Sequence, residues 1–321
     1  MSEMPSRNLG LDLVRVTEAA ALAAGRWMGL GQRQGADQAA TAAVLDALRA
    51  MGVEGCAVVG AEAGGRHVMT LFDTVPDREV TLDVLSDPID GVSLLSYGYP
   101  GAIAVIAAAP ARAFRLIPAA TYMEKLVVNA DVAPALVPEC VDAPAAWTLA
   151  LIARALDKRI GNLTVFVLDR PRHADLIREV RATGAHVMLR AEGDITGALM
   201  AATRESGIDV LMGIGGFKEG VISACAIKAL GGAILARLAP QSKSELDRLQ
   251  QEGLGLGEVM TCDQLVEGEI VFFAVTGITD GPLLSGVRYR GNRATSNSMI
   301  LRGETRTRRI IRAEHLLREA G

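Results

Sequence analysis

The pentapeptide Asp87-Pro88-Ile89-Asp90-Gly91 holds two carboxylates three residues apart. Proline and glycine open a strand there, so both acids and the intervening carbonyl oxygen can address one hard cation. Mg²⁺ or Mn²⁺ takes oxygen ligands of this kind and keeps water and substrate phosphate in its remaining positions. The same residues also make an ordinary solvated turn, since Asp, Pro and Gly all favour turns. Glu219 opens a helical pattern, where a helix N-terminus stabilises negative charge; it is equally readable as a plain first-turn glutamate. Arg170 and Arg172 follow an apolar run. Two guanidinium forks beyond the carboxyl end of a strand suit a phosphate, and the competing reading is a surface cluster paired with Asp169 and Asp175.

The elements that must position these groups are legible in outline. Val14 to Met28 and the stretch holding Ala43, Val44, Ala47, Leu48 and Met51 read as helices, the second stopped by Gly52. Cys56–Gly60, Val80–Asp87 and Ala102–Ala109 read as strands, with Pro88 marking a strand terminus. From Pro144 onward the rhythm is strand then helix. Helices are expected at Pro144–Lys158, Ala174–Thr183, Asp194–Arg204 and Glu219–Leu230, and strands at Leu163–Asp169, His186–Leu189 and Val210–Ile214. Three such units predict a parallel or mostly parallel sheet. Ile270–Val275 reads as a further strand and Arg306–Arg318 as a basic, helix-like end. Pro138, Asp142 and Pro144 suggest a boundary, giving a metal-site domain over 1–142 and a substrate-binding domain over 143–321.

Composition narrows the function classes. Half of the 321 residues are apolar, 22% are charged and only 4% are aromatic, so the core must be built from Ala, Val, Leu and Ile. A net charge of −4 gives no electrostatic case for nucleic acid or an anionic membrane. No targeting signal is read in the first residues, and no apolar run is long enough to span a bilayer. Cys56, Cys140, Cys225 and Cys262 form no CxxC pair and are read as buried, reduced thiols of a cytoplasmic protein. The glycines Gly213, Gly215 and Gly216 miss the dinucleotide fingerprint because Lys218 takes the third glycine position.

Asp87-Pro88-Ile89-Asp90-Gly91 resembles the signature of the metal-dependent, lithium-sensitive sugar and inositol phosphatases. The resemblance extends along nearly the whole chain to class II fructose-1,6-bisphosphatases. It is carried by Arg15-Val16-Thr17-Glu18, Tyr122-Met123-Glu124-Lys125-Leu126, Arg170-Pro171-Arg172-His173, Glu192-Gly193-Asp194, Gly213-Ile214-Gly215-Gly216, Thr276-Gly277-Ile278-Thr279 and Arg302-Gly303-Glu304-Thr305-Arg306-Thr307. It implies a layered α/β/α/β/α fold, a homodimer or homotetramer, and hydrolysis of the 1-phosphate of fructose 1,6-bisphosphate or of a relative such as sedoheptulose 1,7-bisphosphate. It also implies a Mn²⁺ or Mg²⁺ site. Asp37, following a loop through Gly31 to Ala36, matches a metal-ligand aspartate, as do Asp87, Asp90 and Glu219. Tyr122, Arg170 and Arg172 match groups that hold the sugar phosphate, and Glu192 and Asp194 match acids near the sugar hydroxyls.

Two departures bear on catalysis. The family's loop after the early strand carries three acids, whereas this chain has Ala61-Glu62-Ala63-Gly64-Gly65. Glu62 becomes a metal ligand, and with Asp90 an acid beside the attacking water, if the loop is displaced by one residue. Val92 stands where the signature has a threonine, and it offers no hydroxyl to orient water. The alternative to an enzyme is therefore a catalytically impaired homologue that binds a sugar phosphate or a partner subunit.

Overall fold

A computed structural model of the chain describes residues 9–51, 55–59, 67–71, 82–204 and 206–317, with backbone alone at 55–56 and 67–71. The chain divides into two compact units, 1–111 with 270–321, and 112–269. The boundary expected at 142–143 therefore falls inside the second unit. Topology is the reason: the strand at Tyr122–Val128 pairs only with strands of that unit, and the chain end returns to pair with the first.

In the first unit, α1 (Leu9–Gly25) and α2 (Arg33–Met51) cover a mixed sheet. Its strands are β1 (Gly55–Val59), β2 (His67–Leu71), β3 (Leu82–Asp90), β4 (Ile103–Pro110), and, after the second unit, β10 (Phe272–Gly277), β11 (Arg288–Arg290), β12 (Arg293–Arg302) and β13 (Thr307–Leu316). The short helix α3 (Val92–Tyr97) follows β3. The order is β11-β12-β10-β4-β3-β1-β2, with β13 also on β12. Leu13, Val16, Ala20 and Ala24 recur at helical spacing on α1 and pack with Ala104, Ile106, Ala274 and Ile300. Alanine on both surfaces lets helix and sheet approach closely, which is how a core forms with so few aromatics.

Hydroxyls fix that docking. Thr17 Oγ1 lies 2.7 Å from Thr276 Oγ1, which lies 2.8 Å from Ser298 Oγ. One step along, Ser296 Oγ donates to Glu18 Oε1 at 3.1 Å. The Thr17-Glu18 and Thr276 segments thus meet each other inside one core.

The helical reading of Arg306–Arg318 is corrected over its described part: Thr307–Leu316 is strand β13, paired residue for residue with β12 from Arg302↔Thr307 to Arg293↔Leu316. The turn at Gly303–Arg306, closed by Arg306 N–H to the Gly303 carbonyl at 3.0 Å, makes a hairpin. Cross-strand pairing then overrides local helix preference.

In the second unit the strands are β5 (Tyr122–Val128), β6 (Thr164–Leu168), β7 (His186–Arg190), β8 (Val210–Gly216) and β9 (Ala233–Leu238), in the order β7-β6-β8-β5-β9. The helices are α4 (Ala145–Ala155), α5 (Ala174–Ala182), α6 (Asp194–Ala202), α7 (Phe217–Leu230), α8 (Lys243–Gln251) and α9 (Cys262–Leu265). β6 runs parallel to β7 and β8, as the strand–helix rhythm predicts. β5 and β9 join antiparallel, so the sheet is mixed; neither was legible as a strand because each carries charges and no clean alternation. Leu149, Ile152, Ile177 and Val180 of α4 and α5 pack on Val165, Val167 and Val210. Phe166 instead meets Gly197 of α6, on the opposite face. Cys140 and Cys225 are buried and Cys262 is half-buried, while the side chain of Cys56 lies outside the described residues.

Candidate active site

In the first unit, β3 does not end at Asp87 as Pro88 suggests. It continues to Asp90 through a one-residue register shift, from Asp87↔Val105 to Asp90↔Ile103. Proline has no N–H to give to the ladder and is tolerated at such a bulge. Ile89 is 5% exposed and anchors the bulge in the core, with its N–H 3.3 Å from Asp87 Oδ1. Asp87 and Asp90 are therefore fixed, buried carboxylates rather than residues of a solvated turn. Gly91 follows at φ 95, a left-handed conformation that glycine adopts freely, and α3 begins at Val92, whose side chain packs against the core. Asp37 lies within α2, not after a loop, because the helix starts at Arg33. Glu62 and the whole Ala61–Gly65 stretch lie outside the described residues. No three carboxylate, imidazole or thiolate groups converge on one point among the described residues.

The second unit brings several of the sequence-predicted side chains to β8. Gly213, Gly215 and Gly216 leave room for His173, Asp194 and Glu219 respectively, each of which fills the place a Cβ would take. That is the use of the glycine-rich block, and it explains why the block is not a dinucleotide loop. His173 is 2% exposed and bridges two strands. Its Nδ1 lies 2.6 Å from the Leu168 carbonyl, and its Nε2 accepts the Ile214 N–H at 2.7 Å. One nitrogen must donate and the other accept, so the neutral imidazole fits. Arg172, next in the chain, donates from Nε and Nη2 to the Ile214 carbonyl at 3.3 and 2.9 Å. Its Cζ sits 5.1 Å from the Tyr122 ring centroid, a cation–π contact. Among the described residues Arg172 makes no ion pair with Asp169 or Asp175, and Asp175 bonds to Arg178. Among the described residues Arg170 has no ion-pair partner, and Glu192 is half-buried.

Asp194 is the first residue of α6, 8% exposed, and forms an ion pair with the ammonium of Lys125. Lys125 is 2% exposed and also donates to the Gly216 carbonyl at 3.4 Å. Glu219 lies in the first turn of α7, and its Oε2 is buried with no hydrogen-bond partner among the described residues. Such an orphan costs about 1–3 kcal/mol, a cost that a bound cation offsets. Glu219 in this unit, like the buried Asp87 and Asp90 in the first, offers the oxygen donors that a hard divalent cation takes.

Lys125, His173 and Glu245 were not assigned roles from sequence. Glu245 is 2% exposed, and its Oε1 accepts the N–H groups of Thr121 and Tyr122 at 2.7 and 2.9 Å. It thereby holds the start of β5, where Tyr122 stands. The signal was available: Ser242-x-x-Glu245 is a helix N-cap spacing, and Ser242 Oγ does accept the Glu245 N–H at 3.2 Å.

Two expectations follow from this geometry. Burial, the largest influence, holds the His173 imidazole below the ordinary histidine range, with Arg172 and Arg170 acting in the same direction and the Leu168 carbonyl and Asp194 against it. The folded chain thus favours the neutral form. That contribution is present above the unfolded value of about 6.5 and is lost as pH falls from there towards the lower folded value. Urea midpoints between pH 7.5 and 5 should fall more steeply for the wild type than for His173→Gln, and equal slopes would contradict the assignment. For Gly215→Ala, the new methyl group must displace the Asp194 carboxylate. A loss of about 1–3 kcal/mol in urea unfolding is expected, with a raised KM for a sugar phosphate; an unchanged protein would contradict it.

Two mixed sheets with these helices make an α/β sugar-phosphatase fold. The chain matches the family of bacterial fructose-1,6-bisphosphatases, glpX-encoded, over residues 7–315, and it belongs to that family. It is 36% identical over 335 residues to a D-fructose 1,6-bisphosphatase class 2/sedoheptulose 1,7-bisphosphatase of Synechococcus sp. (strain JA-2-3B'a(2-13)), covering 96% of this chain and 95% of that protein. It is likewise 36% identical over 329 residues to a fructose-1,6-bisphosphatase class 2 of Haemophilus influenzae (strain ATCC 51907 / DSM 11121 / KW20 / Rd), covering 97% of each.

Proposed function

We propose that this chain hydrolyses the 1-phosphate of fructose 1,6-bisphosphate or of sedoheptulose 1,7-bisphosphate, the substrates named for its relatives. The observation that carries the reading is the row of Arg172, Asp194 and Glu219 over the glycines and carbonyls of β8. We read these three side chains, which reach β8 from three different segments, as a phosphate-binding fork, a hydroxyl acceptor and a candidate metal ligand. A divalent cation, Mn²⁺ or Mg²⁺, supplies Lewis-acid polarisation of the phosphoryl group when bound. Asp37, Asp87, Asp90 and Glu219 are each proposed as oxygen ligands for such a cation.

Arg172, stacked on Tyr122 and braced by the Ile214 carbonyl, is proposed with Arg170 to hold the phosphate that is not cleaved. Asp194, with Lys125 neutralising its charge, and Glu192 accept hydrogen bonds from the sugar hydroxyls. Asp90 and Glu62 are the acids proposed to take the proton of the attacking water. Family membership favours this hydrolase over a non-catalytic homologue. No helix among the described residues is long and apolar enough to cross a membrane. We propose a cytoplasmic homo-oligomer that binds no nucleic acid, in keeping with the net charge of −4.

The test is ³¹P observation of the reaction. Fructose 6-phosphate and inorganic phosphate should appear together, and a chelator should stop both. Retention of the 1-phosphate in the product would overturn the reading. Val92 gives a further expectation. Val92→Thr, with acids returned at Ala61, Ala63 and Gly65, should raise kcat by about 10²-fold or more; no gain in a folded, metal-binding variant would show that these positions do not limit turnover.

A further inference from the structure

β13 is the outermost strand beside β12, and its second edge is unpaired among the described residues. Leu317 N–H donates to the Asn292 carbonyl at 2.7 Å, one step beyond the Leu316↔Arg293 pair. Antiparallel pairing alternates, so the odd-numbered residues of β13 bond inward to β12. The N–H and carbonyl groups of Arg308, Ile310, Arg312, Glu314 and Leu316 therefore face the open edge. The side chains of the same five residues are all exposed, Ile310 at 57% and Leu316 at 71%. The odd-numbered face does the packing: Ile311 and Leu317 lie on the core, and His315 Nε2 is 2.8 Å from Ser296 Oγ. A long edge strand with exposed aliphatics and neither proline nor glycine is a template for adding another strand.

We propose that the occupant of this edge is β13 of a second copy of the chain, paired antiparallel about a two-fold axis through Ala313. Two-fold pairing of the outward groups allows few registers. Centring on Arg312 sets that residue against its own copy, and centring on Glu314 does the same for the glutamate. Centring on Ile311 puts Arg308 opposite Glu314 twice, but it sets Ile310 opposite Arg312 twice and leaves Leu316 against Arg306 of the turn. Centring on Ala313 puts Arg312 opposite Glu314 twice and Ile310 opposite Leu316 twice, so every outward side chain from Ile310 to Leu316 gains a complementary neighbour. About eight main-chain hydrogen bonds close the join. Glu314 now has only an exposed contact with Arg293 at 3.8 Å, which leaves it able to turn to a partner. The join makes one continuous sheet from two copies.

The test uses charge exchange and reads mass rather than activity, so its failure is separate from any failure of the phosphatase reading. Sedimentation equilibrium of the full chain should show association through this edge. R312E and E314R should each weaken it about tenfold or more, and the double variant R312E/E314R should regain it. Circular dichroism should be unchanged, and so should thermal unfolding at concentrations where all four proteins are single chains, because the altered side chains are exposed in the single chain. A wild type of single-chain mass at every concentration, equal association in all four proteins, or a double variant that stays weakened would overturn the proposal.

Discussion

Lys125→Met is expected to cost about 3–5 kcal/mol of stability, the largest effect of any single change in the second unit. Lys125 and Asp194 are 2% and 8% exposed and neutralise each other within the sheet and the start of α6. Removing the ammonium leaves a buried carboxylate with a carbonyl, the Gly216 oxygen, as near neighbour. Removing both charges, as in Lys125→Met with Asp194→Leu, should restore much of the stability, because an apolar pair carries no uncompensated charge. It should restore none of the sugar-phosphate binding. Urea unfolding of the two variants, alongside KM, separates the roles: stability follows charge balance, and binding follows Asp194 itself. Equal loss of stability in the single and double variants would refute the pairing argument.

Asp87→Asn carries the largest expected effect on activity. Asp87 is 4% exposed at the bulge in β3, so amidation barely alters shape but removes a negative oxygen from the proposed cation site. Turnover should fall by about 10²–10⁴-fold. Protection of the wild type by Mn²⁺ against thermal unfolding should shrink in the variant. Undiminished Mn²⁺ protection would remove Asp87 from the ligand set.

Much of the fold was legible because helices and parallel strands announce themselves through periodicity. Ala174–Ala182, closed by Gly184 at φ 87, and Phe217–Leu230, closed by Gly231 at φ 74, end where glycine says they should. Pairing across long separations was not legible. β5 and β9 carry Lys125, Glu124 and Arg237 within the sheet, and only ion pairs formed by the fold make that tolerable: Lys125 with Asp194, Arg237 with Glu124. β13 reads as a basic helix until the turn at Gly303–Arg306 brings β12 alongside. The domain limits failed for the same reason, because the first sheet is completed by residues after 270.

The site was legible as residue types and family blocks, and less so as contacts. Tyr122 and Arg172, 50 positions apart, stack only because His173 bolts β6 to β8 and Glu245 holds the start of β5. A buried histidine and a capping glutamate look ordinary in sequence; their importance comes from what they hold in place. Gly213, Gly215 and Gly216 were visible as a block, but their purpose, making room for three side chains from other segments, needed the sheet.

The most direct test is phosphate release from fructose 1,6-bisphosphate by the purified chain with Mn²⁺ and with Mg²⁺, run beside Asp87→Asn. A metal-dependent release that the substitution abolishes is the expected result. A folded wild type that releases no phosphate with either cation, or release that persists in Asp87→Asn, would contradict the assignment of this chain as a metal-dependent sugar-bisphosphate phosphatase.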